Sequence, residues 1–201
     1  MSPRLASTLL NLAGLSPGAT VLDPFCGSGT VLAEALLRSC RALGVDSSEA
    51  RVREARRNLS WAATGIRGAS FHLRVGDARE LGAILGDTKV DAVVTEPLLI
   101  PSLVARPQPG TAAALLENAG GVYAAALASA ADVLAPGGRV VMVVPVVPTM
   151  DGSEAVMELE GRSLGLRLRE PGPLRFDYPV RLSFESTRWV RRAVYSFESP
   201  A

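Results

Sequence analysis

Asp23-Pro24-Phe25-Cys26-Gly27-Ser28-Gly29-Thr30 follows directly on the apolar stretch Ala19-Thr20-Val21-Leu22. The pattern predicts a strand that stops at a carboxylate, turns through glycines and enters a helix. A doubly wound α/β domain builds its nucleotide-cofactor pocket in this way. In dinucleotide folds the glycines let a helix N-terminus approach a pyrophosphate. Asp23 at the strand end would repel that anion, and the third glycine of the G-x-G-x-x-G pattern is absent, because Gly27-Ser28-Gly29 runs on into Thr30-Val31-Leu32. The carboxylate suits a cationic ligand instead. S-adenosylmethionine, with its sulfonium and ammonium groups, is the cofactor this turn predicts.

Outward from the turn, helix-like and strand-like segments alternate. A helix over Leu5 to Leu12, closed by Ala13-Gly14, precedes the first strand, and Thr30 to Arg38 forms the helix behind the turn. Ala42 to Val45 is a second strand, ending at Asp46; Ser47 is the expected N-cap of an amphipathic helix running to about Ala62. Phe71 to Val75 and Val90 to Thr95 are the third and fourth strands. Gly121 to Leu134 reads as a helix, Arg139 to Val144 as an apolar central strand, and Ser153 to Leu164 as a further helix. Arg167 to Arg169, Pro179 to Phe184 and Arg188 to Phe197 mix aromatic, β-branched and arginine residues, which predicts edge strands and an antiparallel hairpin. The one long irregular connection, Leu98 to Gly110, carries Pro101, Pro107 and Pro109 beside a strand's carboxyl end.

Composition places these elements in one domain. The chain has 201 residues, 48% of them hydrophobic, and a formal net charge of +1, so no polyanion-binding excess shows in bulk. Cys26 and Cys40 have neither a disulfide-framework nor a metal-ligand spacing, and no metal is expected. The N-terminal residues lack the apolar block of a signal peptide, and the longest apolar run, Val140 to Val147, is broken by Pro145. The expectation is a cytoplasmic protein with no membrane span.

Ligands of open parallel sheets sit outside the carboxyl ends of the strands. Asp23, Asp46, Asp77 and Glu96 stand at those ends. Singly, each is equally well read as a helix cap or a solvated carboxylate; four in series point to one site. Asp46 with Ser47 is placed for the ribose hydroxyls, Asp77 for the adenine amino group with Ala78 leaving room for the ring, and Asp23 with Pro24, Phe25, Cys26, Gly27, Gly29 and Thr30 for the methionine portion. Glu96-Pro97-Leu98-Leu99 is the candidate catalytic segment. Methyl transfer to an exocyclic amine needs the nitrogen lone pair aimed at the methyl group more than it needs acid-base power. The Glu96 carboxylate and the Pro97 carbonyl are the acceptors that would aim it. His72 has no orienting neighbour in sequence and reads as an ordinary strand residue.

The run from Asp23 to Thr30 resembles the first motif of the THUMP-associated RNA methyltransferases, especially the tRNA guanosine N2-methyltransferases. Pro3-Arg4-Leu5-Ala6 and Leu10-Asn11-Leu12-Ala13 resemble the helix leading into that motif, and Gly44-Val45-Asp46 and Gly76-Asp77-Ala78 continue the likeness. The resemblance implies a Rossmann-like class I S-adenosylmethionine-dependent methyltransferase fold with a seven-stranded, mostly parallel sheet. It implies a contact from Arg4 to the methionine end of the cofactor, and transfer to an exocyclic guanine amine in tRNA. Two features depart from the family. Glu96-Pro97-Leu98-Leu99 replaces the D-P-P-Y or N-P-P-Y tetrapeptide, whose aromatic stacks on the flipped base. The absence of the family's RNA-binding THUMP domain is the second departure: the expectation is an excised domain, a shortened relative or one subunit of a larger enzyme, with RNA binding drawn from a separate domain or subunit. A cofactor-binding subunit of low activity, and a methyltransferase for protein or small-molecule amines, therefore stand beside the RNA reading. Arg188, Arg191 and Arg192 with Trp189 and Tyr195 are the better candidates for RNA contact, though an edge strand protected by charge accounts for them equally well, and Arg51, Arg53, Arg56 and Arg57 read as a solvated helix face.

Overall fold

The computed structural model describes residues 1–97, 100–101, 103–169, 180–187 and 190–201, with residues 162 and 180–187 by backbone alone. The strands are β1 Thr20–Asp23, β2 Arg41–Asp46, β3 Phe71–Val75, β4 Val90–Thr95, β5 Leu134–Pro148, β6 Glu154–Val156, β7 Arg167–Leu168, β8 Val180–Thr187 and β9 Val190–Glu198. The helices are α1 Pro3–Ala13, α2 Thr30–Leu37, α3 Glu49–Ala62, α4 Leu81–Leu85 and α5 Pro109–Val133. Seven strands lie on one path, β3-β2-β1-β4-β5-β9-β7, and two more pair off it, β6 on β5 and β8 on β9, giving nine among the described residues. The neighbours from β3 to β5 pair in parallel, and every pairing made by β6, β7, β8 and β9 is antiparallel.

Parallel strands joined by helices are covered on both faces, so their side chains are apolar in both directions. Val21, Ala92, Val94, Val141 and Val143 pack against α1 residues Leu5, Leu9 and Leu10. Leu22, Val93, Val140 and Met142 pack on the opposite face with α5 residues Tyr123, Leu127 and Ala130. A third cluster holds α2 and α3 together through Leu32, Leu36, Val52, Ala55 and Leu59. Helix α1 starts on the Ser2 side chain and Pro3, and Arg139 Nη1 donates to the Ala13 carbonyl at its far end, at 2.5 Å.

Three local expectations change. Ser48, not Ser47, caps α3: its hydroxyl accepts from the Arg51 amide at 3.4 Å, while Asp46 accepts the amide of Ser48 itself. The segment from Ser153 to Leu164 forms β6 and a short 3-10 turn, because Val156 and Ala155 find ladder partners in Val146 and Val147. Helix α5 begins at Pro109, twelve residues before Gly121, so the irregular connection ends at Gln108. Among the described residues, no helix is long and apolar enough to cross a membrane.

Candidate functional site

At the carboxyl ends of β1, β2 and β4 the chain encloses a cavity of about 550 Å³, within the range of small-molecule pockets. Its lining combines Asp23, Asp46 and Glu96 with Phe25, Cys26, Gly27, Ser28, Thr30 and Ser47, and closes with Val31, Val122, Arg51 and Met1.

The turn between β1 and α2 is held from two sides. The Cys26 amide donates to the Val45 carbonyl at 3.0 Å and the Gly27 amide to Asp46 Oδ2 at 2.9 Å, both on β2. Asn58 of α3 donates to the Ser28 carbonyl, also at 2.9 Å. Gly27 and Gly29 take φ values of +51° and +88°, a region that glycine enters without a Cβ penalty. At Gly29 a Cβ would stand in ordinary contact with the Ala55 and Leu59 side chains, at 3.4 Å, so it is the positive φ and not a lack of space that calls for glycine here. Asp46 therefore secures the turn with one oxygen and the start of α3 with the other. Each oxygen retains a lone pair for a hydroxyl donor.

Asp23 is 3% exposed. Thr95 donates its hydroxyl to Asp23 Oδ1 at 2.7 Å, and the Phe25 amide reaches the same oxygen at 3.1 Å. Burial outweighs these bonds, and with Asp46 and Glu96 nearby it raises the carboxyl from the usual 3.8 to about 7. A buried acid beside two further carboxylates gains from a cation that enters the cavity. Burial, with the charges of Asp23 and Asp46, pushes the Cys26 thiol up, which removes it as a nucleophile at neutral pH.

Glu96 extends from β4 into the cavity rim, its side chain 7% exposed. Oε1 accepts from Arg192 Nε on β9, and Oε2 lies 3.8 Å from the Met1 nitrogen. Tyr123 of α5 is buried close by, its hydroxyl pushed up by burial and by the Glu96 charge.

Of the residues expected at the site, Asp23, Phe25, Cys26, Gly27, Thr30, Asp46, Ser47 and Glu96 line the cavity together. Arg4, Pro24, Gly29, Asp77, Ala78 and Pro97 do not line it. Pro24, Gly29, Ala78 and Pro97 are buried, and Arg4 is exposed on α1. Asp77 caps a 3-10 turn and is gripped by Arg79, whose Nη2 lies 2.5 Å from Oδ2; these bonds lower the carboxyl to about 2. Leu98 and Leu99 lie outside the described residues. Thr95, Ser28, Arg51 and Val122 were not anticipated; Thr95 had a signal, being the residue before Glu96 on a strand expected to end at the site.

The arginines proposed for RNA contact separate. Arg191 pairs with Glu154 at 2.8 Å, Arg192 is buried against Glu96, and Tyr195 is buried and stacked on Phe197 with centroids 5.6 Å apart. Arg188 and Trp189 lie outside the described residues. On α3, Arg51 and Arg53 pair with Glu54 and Glu49 as a solvated face would. Among the described residues, no group of three or more His, Cys, Asp or Glu side chains is arranged to hold a metal ion.

This sheet order and cavity define a class I methyltransferase fold, seen in solved structures. The magnesium protoporphyrin IX methyltransferase of Synechocystis aligns over 98% of this chain and 81% of its own, at 18% identity and a TM-score of 0.62. TrmN from Thermus thermophilus aligns over 99% of this chain and 49% of its own, at 26% identity and a TM-score of 0.59. Residues 1–153 match the family UPF0020, described as an RMKL-like methyltransferase domain, and the chain belongs to that family. A tRNA (guanine(10)-N2)-dimethyltransferase of Methanothermobacter thermautotrophicus is 38% identical over 145 residues. That alignment takes in 72% of this chain and 38% of the relative, so the chain spans about four-tenths of the relative's length.

Proposed function

We propose that the chain binds S-adenosylmethionine and methylates an exocyclic guanine amine in RNA, with tRNA as the substrate. The observation that carries this reading is the presence of Glu96 in the same cavity as Asp23 and the glycine turn. When bound, the cofactor supplies an activated methyl group. Asp23 would face its cationic methionine end, Asp46 and Ser47 its ribose, and the backbone of Phe25 to Gly29 would shape the wall between them. Asp77 and Ala78, expected at the adenine, and Arg4, expected at the methionine end, stand outside this cavity and are given no part in the reading.

Glu96 and the Pro97 carbonyl would accept the two N–H bonds of the target amine and aim its lone pair. Orientation of this kind lowers the barrier by removing the freedom of the reacting groups beforehand. The relatives' greater length supports an RNA-binding segment or subunit beyond this chain, acting in the cytoplasm where tRNA is modified. A reading as a cofactor-binding subunit without turnover rests on the Glu-Pro-Leu-Leu segment, which lacks the family's aromatic. Methyl transfer from labelled cofactor into unmodified tRNA, followed by nucleoside analysis, tests both. Labelled N2-methylguanosine supports the first; cofactor binding without label in any tRNA pool supports the second.

A further inference from the structure

Glu96 and Arg192 are 96 residues apart in sequence and meet in a buried ion pair, their side chains 7% and 9% exposed. Alternate residues of a strand face opposite sides. The register of β9 on β5 sets Arg192 opposite Pro145 and turns it inward, while Arg191 faces outward to Glu154. An ion pair withdrawn from water rarely stabilises a fold more than apolar side chains of the same volume would. Stability alone therefore gives little account of this one.

Its place does. Arg192 takes Oε1, and Oε2 forms a longer ion pair of 3.8 Å with the Met1 ammonium, another group of the cavity wall. A glutamate has one more rotatable bond than an aspartate, and a free one spreads over several rotamers, each placing the carboxylate differently. We propose that Arg192 is a positioning residue for Glu96: it locks the carboxylate in one rotamer and turns Oε2, which holds the longer Met1 contact, toward the acceptor amine. This rests on the methyl-transfer reading above, and it gives Glu96 a means of doing what a shorter side chain does without help.

The test compares wild type, R192Q, R192K, E96Q and E96Q/R192Q for kcat and KM on tRNA, with cofactor affinity measured by calorimetry. R192Q is expected to lower kcat by about tenfold to a hundredfold while cofactor affinity stays within about twofold. R192K should recover part of the loss, since it keeps the charge without the fixed fork of the guanidinium. The double variant should be no slower than E96Q, as for two residues acting through one group. Wild-type turnover in R192Q, losses that multiply in the double variant, or a rise in KM for tRNA with kcat unchanged would each overturn the role. If the unaltered chain methylates no RNA, the methyl-transfer reading fails by itself. A crystal structure of R192Q then decides the positioning role: a displaced Glu96 carboxylate supports it, and one that keeps its place overturns it.

Discussion

Asp23 ends β1 and Asp77 follows two residues after β3, both at carboxyl ends of parallel strands, yet their surroundings push them in opposite directions. Asp23 is buried among carboxylates and its carboxyl rises to about 7. Asp77 is half-exposed, held by Arg79, and falls to about 2. Topology delivers a carboxylate to the edge of the site; burial and neighbours decide whether a ligand's charge is needed there. On this contrast, Asp23 has most to gain from a cationic cofactor and Asp77 least.

The largest expected effect tests the acceptor side of the cavity. E96Q should lower turnover by a factor on the order of a hundred or more with cofactor affinity unchanged, read by steady-state kinetics and calorimetry; full activity would remove Glu96 from the reaction.

Asp23 comes next. Because its folded pKa exceeds the ordinary value, the folded chain retains a proton that the unfolded chain releases between pH 3.8 and about 7. Its contribution to stability is complete below that window and is lost as pH rises through it. A cation favours the ionised carboxylate, so cofactor binding should expel a proton below about pH 7. Affinity should climb by up to about tenfold per pH unit before levelling off. Calorimetry in buffers of different ionisation enthalpy reads this directly, and D23N should flatten the profile.

D46A should weaken cofactor binding by about 1–3 kcal/mol, with added loss of order in the turn because the Gly27 and Ser48 amides lose their acceptor. The smallest effect belongs to D77A, at about twofold or less in affinity. A loss equal to that of D46A would show that Asp77 leaves Arg79 to receive the adenine, and the contrast between the two strand ends would then fail.

The first half of the chain was legible because its signals are local. The strand ending at Asp23, its glycine turn and the strands ending at Asp46, Val75 and Thr95 are short apolar runs bounded by turn residues, and each appears where expected. The second half was less so. Ala155, Val156, Met157 and Leu159 suit a helix as well as a strand, and only the open edge of β5 decides between them. Gly120 and Gly121 argue for a helix start, yet α5 runs through them because Ala112 and Leu116 on its first turns are buried.

By itself the sequence determined the order of the elements, the glycine turn and the row of acids at the strand ends, since all of these follow from residues close together in the chain. Only the tertiary structure decided which acids share a cavity, that Thr95 steadies Asp23, and that Arg192 is buried against Glu96 instead of facing RNA. The physical reason is that burial and charge pairing depend on strand register and sheet order, which bring together residues as far apart as Glu96 and Arg192.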